Sequence, residues 1–141
     1  LVGSQSGTVP FDIHDPTHST LSTLTFLTGA KPDACVLVVN EADPDDYVRD
    51  TIDALRAWLG CRVLALAFSD RMKRTVTRHG RSWTTHRTAT GDERLAVSRR
   101  LRGRFGLPAG CITEEGDVDL LIAAIEDHFS PTGGGCPHTN V

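Results

Sequence analysis

Two apolar runs that lack polar alternation constrain the fold of this chain more than any other feature. Residues 34–39 read ACVLVV, and residues 62–68 read RVLALAF. A strand with one face in water alternates apolar and polar side chains, whereas a strand covered on both faces does not. We therefore predict two buried strands of a parallel sheet that has helices on both faces.

The segment between these runs predicts the helix that a parallel connection needs. Asp43 is a good N-cap residue, Pro44 suits the first helical position, and Gly60 stands where the helix should end. The apolar stripe at helical spacing consists of Val48, Ile52, Leu55 and Leu59.

The alternation of helices and strands continues in both directions along the chain. Upstream, Leu1 and Val2 predict the end of a strand, and Asp15 with Pro16 predicts the start of a short helix that ends at Gly29. Downstream, we predict a helix over residues 92–106 with Leu95, Leu101 and Phe105 facing inward, a short strand over residues 107–113 and a helix over residues 116–129. This order predicts right-handed crossovers and an α/β fold.

A basic stretch interrupts this pattern after the second apolar run. Between Arg71 and Gly91 we find no periodicity and no acidic residue before Asp92. We interpret the stretch as a basic surface loop. Its cations are Arg71, Lys73, Arg74, Arg78, Arg81 and Arg87.

Length and composition favour one domain. With 141 residues, of which 39% are hydrophobic, the chain can build one core, so we predict a domain over residues 1–129 and a disordered tail over residues 130–141.

The net charge of −3 gives no general attraction to nucleic acid or anionic membranes. No apolar run approaches the roughly 20 residues of a membrane span. The cysteines, which are Cys35, Cys61, Cys111 and Cys136, lack C-x-x-C spacing, so we expect reduced thiols and a cytoplasmic protein.

In parallel sheets, ligands bind outside the carboxyl ends of the strands, and this rule selects the candidate site. The small hydroxyl and glycine residues after Val2 suit a phosphate or carboxylate, because they leave backbone N–H groups free to donate. The predicted anion-binding residues are Ser4, Gln5, Ser6, Gly7, Thr8, Asn40, Ser69, Asp70 and Arg71. The chain has no nucleophile elbow and no Walker A motif, since neither Lys31 nor Lys73 follows the required glycines.

His14 and His18 are the candidate catalytic residues, with Asp15 beside them. A histidine next to a carboxylate can act as an oriented general base, and the same groups with Asp12 have the donor types of a metal site. Helix capping and exposure of polar side chains to solvent are the alternative explanation of these residues. We predict no metal here.

The basic stretch also contains Trp83, and cations beside an aromatic residue suit several ligands. A nucleotide, an acyl-CoA, single-stranded nucleic acid or another protein domain would each fit. Because the chain is acidic overall, we favour a small anion over nucleic acid.

Two pieces of the sequence resemble one enzyme family. The opening LVGSQSGT, the later HDPTHSTLSTLTFLTGAKPDACVLVVN and the closing elements are similar to the C-terminal, P-loop-like domain of an uncharacterised family that includes D-amino-acid N-acetyltransferases. The most specific part is Gly29 with Pro32, Asp33 and Ala34. The resemblance covers most of residues 1–129, and dethiobiotin synthetase is similar more distantly.

The resemblance implies a role for each matching segment. Ser4–Gly7 would match a phosphate and substrate loop, His14–Pro16 a His-Pro motif, and Phe68–Asp70 a strand end that approaches the base of a bound nucleotide. Three departures stand out. Val2 or Gly3 replaces the acidic residue of the family motif, and extra residues around Val9 to Ile13 separate the loop from the His-Pro match. The Walker A half of the relatives has no counterpart here.

From these observations we expect half of a P-loop-like α/β enzyme that acts on an amino acid or other small carboxylate. The anionic cosubstrate would be acyl-CoA, such as acetyl-CoA, or ATP, and the reaction an acyl transfer or an ATP-dependent ligation. A complementary segment or subunit would complete the site within a homo- or hetero-oligomer. The alternative is a catalytically degenerate assembly or ligand-sensing module.

Overall fold

The computed structural model describes residues 28–130. In this part of the chain the strands are β1 (Ala34–Val38), β2 (Arg62–Phe68), β3 (Arg71–Arg78), β4 (Arg81–Thr88) and β5 (Ala109–Cys111). The long helices are α1 (Asp45–Leu59), α2 (Gly91–Phe105) and α3 (Glu115–Phe129). The predicted first strand, first helix and C-terminal tail lie outside the described residues, apart from the helical residues 28–30.

The central sheet is parallel and has the strand order β1-β2-β5. This confirms the predicted α/β class. The pairing of β1 with β2 contains a bulge, because Cys35 pairs with Val63 while Val36 pairs with Ala65. Leu64 is the extra residue, and it reverses the alternation of side chains along β2.

Each face of the sheet has its own core. On the face of α1 and α2, the buried side chains include Val48, Leu55, Leu66, Phe68 and Leu101. On the opposite face, α3 places Leu121 against Ala65 and Ala67 of β2. Helices therefore flank both faces, as predicted.

Helix α1 has the predicted stripe and the predicted end. Val48 and Leu55 are buried, and the chain leaves the helix through Gly60 at φ 64°. The predicted N-cap is wrong, because the carboxylate of Asp43 makes no cap and instead accepts a hydrogen bond from the backbone N–H of Asn40 at 2.8 Å. Helix α1 begins at Asp45.

The predicted basic loop is wrong, since β3 and β4 form an antiparallel hairpin with full pairing from Arg71↔Thr88 to Arg78↔Arg81. His79 and Gly80 make the two-residue turn, and both have positive φ, 51° and 72°. That combination is typical of the type I′ turn, whose twist matches a hairpin. β-branched Thr residues in both strands, together with Val76 in β3, favour extended backbone.

One inward residue of α2 is also predicted wrongly. Leu95 is 47% exposed, whereas Ser98 and Leu101 are buried. Six residues separate Leu95 from Leu101, which places them on different sides of a helix with 3.6 residues per turn. Ser98 lies one turn from Leu101 and takes the inward position.

The described cysteines are free thiols. Cys61 and Cys111 are buried, and Cys35 is partly buried. Burial, together with the neighbouring Cys61 thiol, raises the pKa of Cys35 to about 12. The Cys35 thiol therefore stays protonated and behaves as a small apolar side chain. Cys136 lies outside the described residues.

Candidate functional site

Two of the predicted site residues leave the sheet at the same level. Val38 pairs with Ala67, so Asn40 and Ser69 each stand two residues beyond this pair. The backbone N–H of Val39 donates to the carbonyl of Ala67 at 2.8 Å, which extends the ladder to the edge. Asn40 and Ser69 therefore lie at the same edge of the sheet, where the carboxyl ends of β1 and β2 meet.

The loop after β1 is closed by its own side chains. Asp43 accepts from the N–H of Asn40, and the N–H of Asp43 donates to the carbonyl of Asn40 at 3.2 Å. Glu41 lies between them, and its Oε1 accepts from the backbone N–H of Lys73 at 2.7 Å. This contact ties the base of the hairpin to the loop after β1.

The chain passes directly from β2 into the hairpin at this edge. The hydroxyl of Ser69 accepts from the N–H of Arg71 at 3.4 Å. The carbonyl of Asp70 accepts from the N–H of Ala89 at 2.7 Å, so the hairpin begins and ends at neighbouring points. The Arg71 side chain is exposed beside them.

The end of β5 adds groups that the sequence analysis did not select. The N–H of Ile112 donates to the carbonyl of Phe68 at 2.9 Å, which places Thr113 and Glu114 at the same edge. The carboxylate of Glu114 forms an ion pair with Arg94 of α2 at 2.6 Å. The rule about carboxyl ends finds them when it is applied to the fourth predicted strand, over residues 107–113, as well.

Helix α2 begins at this edge with a complete capping box. The hydroxyl of Thr90 accepts from the N–H of Glu93, and the carboxylate of Glu93 accepts from the N–H of Thr90 at 2.9 Å. Both guanidinium NH₂ groups of Arg87 also donate to Glu93. These bonds, first the one from Arg87 and then the one from the Thr90 N–H, lower the pKa of Glu93 to about 2.

The remaining predicted site residues are beyond the described part of the chain. They are Ser4, Gln5, Ser6, Gly7, Thr8, His14, Asp15 and His18. Within residues 28–130, no group of three or more His, Cys, Asp or Glu side chains is arranged to hold a metal ion. In the same residues, no helix has the length and apolar character needed to cross a membrane.

A second concave surface lies at the opposite end of β2. It is a cleft of about 610 Å³ between the C-terminal ends of α1 and α2, with Arg49, Arg56, Arg62 and Arg104 in its wall. The guanidinium of Arg49 lies 5.7 Å from the centre of the Phe105 ring. Arg56 and Arg104 lie in the last turns of α1 and α2, where cations offset the negative end of the helix dipole, so these two arginines have a structural explanation.

Comparison of the chain with protein-family models, with curated proteins and with solved structures finds no match. The site is therefore interpreted from its own chemistry.

Proposed function

We propose that the chain is the C-terminal half of a P-loop-like α/β enzyme acting on an amino acid or another small carboxylate. The observation that carries this proposal is the convergence of Asn40, Ser69 and Asp70 at the carboxyl edge of a parallel sheet. Ligands of open α/β sheets bind at this edge. The cosubstrate is an anion, either acyl-CoA or ATP.

The base of the hairpin supplies positive charge to this edge. Arg71 and Lys73 are exposed, directly follow the end of β2, and lie on one face of the hairpin because they are two residues apart. Lys73 is also held near the loop after β1 through its backbone bond to Glu41. In the proposal these two cations hold the phosphates of the cosubstrate.

Residues near the start of the chain supply the reacting groups in this proposal. Gln5, Ser6 and Thr8 bind the substrate carboxylate or a phosphate, and His14 or His18 takes a proton from the attacking amine, with Asp15 orienting the ring. A positioned general base contributes about 10²–10⁴-fold to a rate. Because this chain has no Walker A motif, another segment or subunit would hold the β- and γ-phosphates of ATP.

An exposed apolar residue of the central sheet supports the proposal that a further segment completes the fold. Val38 at the end of β1 is 66% exposed, although its strand belongs to the central sheet. In the described part of the chain, α3 contacts β2 and β5 on one face of the sheet. Val36 of β1 is partly buried against this cluster, whereas Val38 does not belong to it. A segment packed there would complete the layer.

A degenerate assembly or ligand-sensing module is the second candidate. It is favoured by the hydrogen bonding within the edge. Asp43 and Ser69 accept from backbone N–H groups two or three residues away, and Glu41 accepts from the N–H of Lys73 in the hairpin. Side chains that accept these backbone hydrogen bonds stabilise the loops at this edge.

The test uses the full chain together with any protein that co-purifies with it. We expect acyl transfer from acetyl-CoA, or ATP hydrolysis coupled to ligation, with amino-acid substrates. We also expect His14→Ala or His18→Ala to lower kcat by about 10²-fold or more. His128→Gln, on the far end of α3, is the matched control. Unchanged rates in both variants would exclude the catalytic assignment, and native mass spectrometry showing a lone chain that binds neither cosubstrate would favour the second candidate.

A further inference from the structure

The hairpin sorts its side chains onto two faces. Directly paired residues share a face, and residues alternate along each strand. Arg71 and Lys73 lie on one face, together with hydroxyl side chains. The other, which we call the arginine face, consists of Met72, Arg74, Val76, Arg78, Arg81, Trp83, Thr85 and Arg87.

Within the part of the chain that the structure describes, three cations of the arginine face have no acidic partner. Arg87 is paired with Glu93, but no carboxylate of residues 28–130 forms an ion pair with Arg74, Arg78 or Arg81. Arg78 and Arg81 stand directly opposite each other beside the turn. Like charges in that position destabilise a hairpin, and an anion between them would relieve the repulsion.

Trp83 lies among these cations with its side chain open to solvent. It pairs with Val76, is 45% exposed, and follows Arg81 by two residues on the same face. An exposed indole offers a flat surface on which a base can stack. The acidic composition of the chain favours a small anion over nucleic acid. The hairpin adds a local argument that composition does not contain, because it places Trp83 on the same face as the arginines.

The acidic residues in the rest of the chain do not neutralise the positive charge at the turn end of the hairpin. Eight residues of strand span about 26 Å. At physiological salt, exposed charges are screened beyond roughly 8 Å. A polyanion at the turn therefore meets the local positive charge and little of the net charge of −3.

We propose that the arginine face binds single-stranded nucleic acid. One base stacks on Trp83, while Arg74, Arg78 and Arg81 contact phosphates on either side of it. A single strand fits better than a duplex because its bases are free to leave their neighbours and stack on protein. This site is on the opposite face from Arg71 and Lys73 and does not depend on the proposed enzymatic function.

The test measures binding of a fluorescein-labelled twelve-nucleotide oligo(dT) to the full chain by fluorescence anisotropy over a range of salt concentrations. We expect the triple variant R74Q/R78Q/R81Q to weaken binding at least tenfold. Loss of three phosphate contacts should also reduce the slope of log K against log salt by about 2. The matched control R56Q/R62Q/R99Q removes the same charge from α1, β2 and α2, and should change affinity by less than twofold.

A second measurement isolates the stacking contact. In a Trp58→Phe background, Trp83 is the only tryptophan, so we expect the oligonucleotide to quench its fluorescence. Trp83→Leu should weaken binding about fivefold or more, and Trp83→Phe should restore part of it. Circular dichroism checks that each variant is folded.

Four outcomes would overturn the proposal. One is equal weakening by the two triple variants, and another is an affinity that Trp83→Leu leaves unchanged. The third is binding of inorganic polyphosphate as tight as that of oligo(dT). The fourth is concentration-dependent self-association in sedimentation that R74Q/R78Q/R81Q abolishes while oligo(dT) does not bind. In that case the face would be occupied by the acidic surface of a second copy.

Discussion

At the scale of single residues, Gly110 shows how a missing Cβ allows a helix to pack on the sheet. A Cβ at this position would lie 2.8 Å from the Cβ of Asp117 and 3.0 Å from its backbone oxygen. Asp117 uses this close approach to accept from the N–H of Cys111 at 2.8 Å, and it forms an ion pair with Arg102 at 3.6 Å. One glycine therefore positions α3 against β5.

We expect Gly110→Ala to destabilise the protein by about 1–3 kcal/mol, because backbone or Cβ atoms of α3 must shift. Urea unfolding followed by circular dichroism measures this change. Gly103→Ala is the matched control, since Gly103 lies inside α2 with no atom near the added Cβ. Alanine there should stabilise the helix by up to about 1 kcal/mol. Equal effects of the two substitutions would contradict the close-packing argument.

Glu93 provides a pH-dependent contact at the start of α2. The pKa of Glu93 is lowered from its ordinary value of 4.5 to about 2. The ionised carboxylate therefore stabilises the folded state fully at pH values above about 4.5. That contribution is lost as pH falls from about 4.5 through about 2. We expect Arg87→Gln to raise the pKa of Glu93 toward its ordinary value, as measured by carboxyl carbon NMR during titration.

Arg99→Gln is the control for this titration, because Arg99 is an exposed arginine of the same helix and is not bonded to Glu93. The Arg99→Gln substitution should leave the pKa of Glu93 unchanged. An Arg87→Gln protein with an unchanged Glu93 titration would show that the capping box alone lowers the pKa.

At the scale of elements, the hairpin marks the limit of what periodicity can predict. The apolar runs predicted β1 and β2. Burial on both faces leaves β2 without a polar residue after Arg62, whereas β1 is apolar although its last residue, Val38, is exposed. Strands β3 and β4 lack such a pattern, since most of their side chains are exposed and an exposed strand does not need apolar residues. The available signal was the His79-Gly80 pair between two stretches rich in threonine and arginine, and it is weaker than Asn-Gly.

The turn yields a prediction of its own. Gly80 has φ 72°, so Gly80→Ala should destabilise the hairpin by about 1 kcal/mol through backbone strain. Hydrogen exchange of the β3 and β4 amides measures the change separately from the central sheet. Gly91→Ala, at the first residue of α2, is the control and should not increase exchange in the hairpin. Unaltered hairpin exchange in Gly80→Ala would exclude a strained turn.

At the scale of the whole molecule, the order of the described elements outside the hairpin was predictable from the sequence, whereas the hydrogen bonding at the carboxyl edge of the sheet was not. The alternation of capped helices and apolar strands predicts a parallel sheet, and a parallel sheet determines which loops share an edge. The bond between Glu41 and the N–H of Lys73 joins residues 32 positions apart through a hairpin that the sequence pattern did not reveal. The likeness to P-loop-like enzymes and the roles of His14 and His18 stay predictions.

The uncovered end of β1 tests whether another segment completes the sheet. If such a segment buries Val38 in the full assembly, Val38→Ser should cost about 1 kcal/mol or more in thermal or urea unfolding. Leu95→Ser removes a similarly exposed apolar side chain from α2, where we propose no covering segment, and should stay within about 0.5 kcal/mol. Equal, small effects of both substitutions would mean that the end of β1 faces solvent.

The hydrogen bond between Ala89 and Asp70 has a consequence for how this molecule can change. Because the chain enters and leaves the hairpin at one point, residues 71–88 form a projection that a short turn between Asp70 and Ala89 would replace. The three parallel strands would keep their register, since none of their ladder bonds passes through β3 or β4. The surface at the end of the hairpin is thus free to be lengthened, exchanged or discarded in evolution or by design, while the sheet that supports it stays the same.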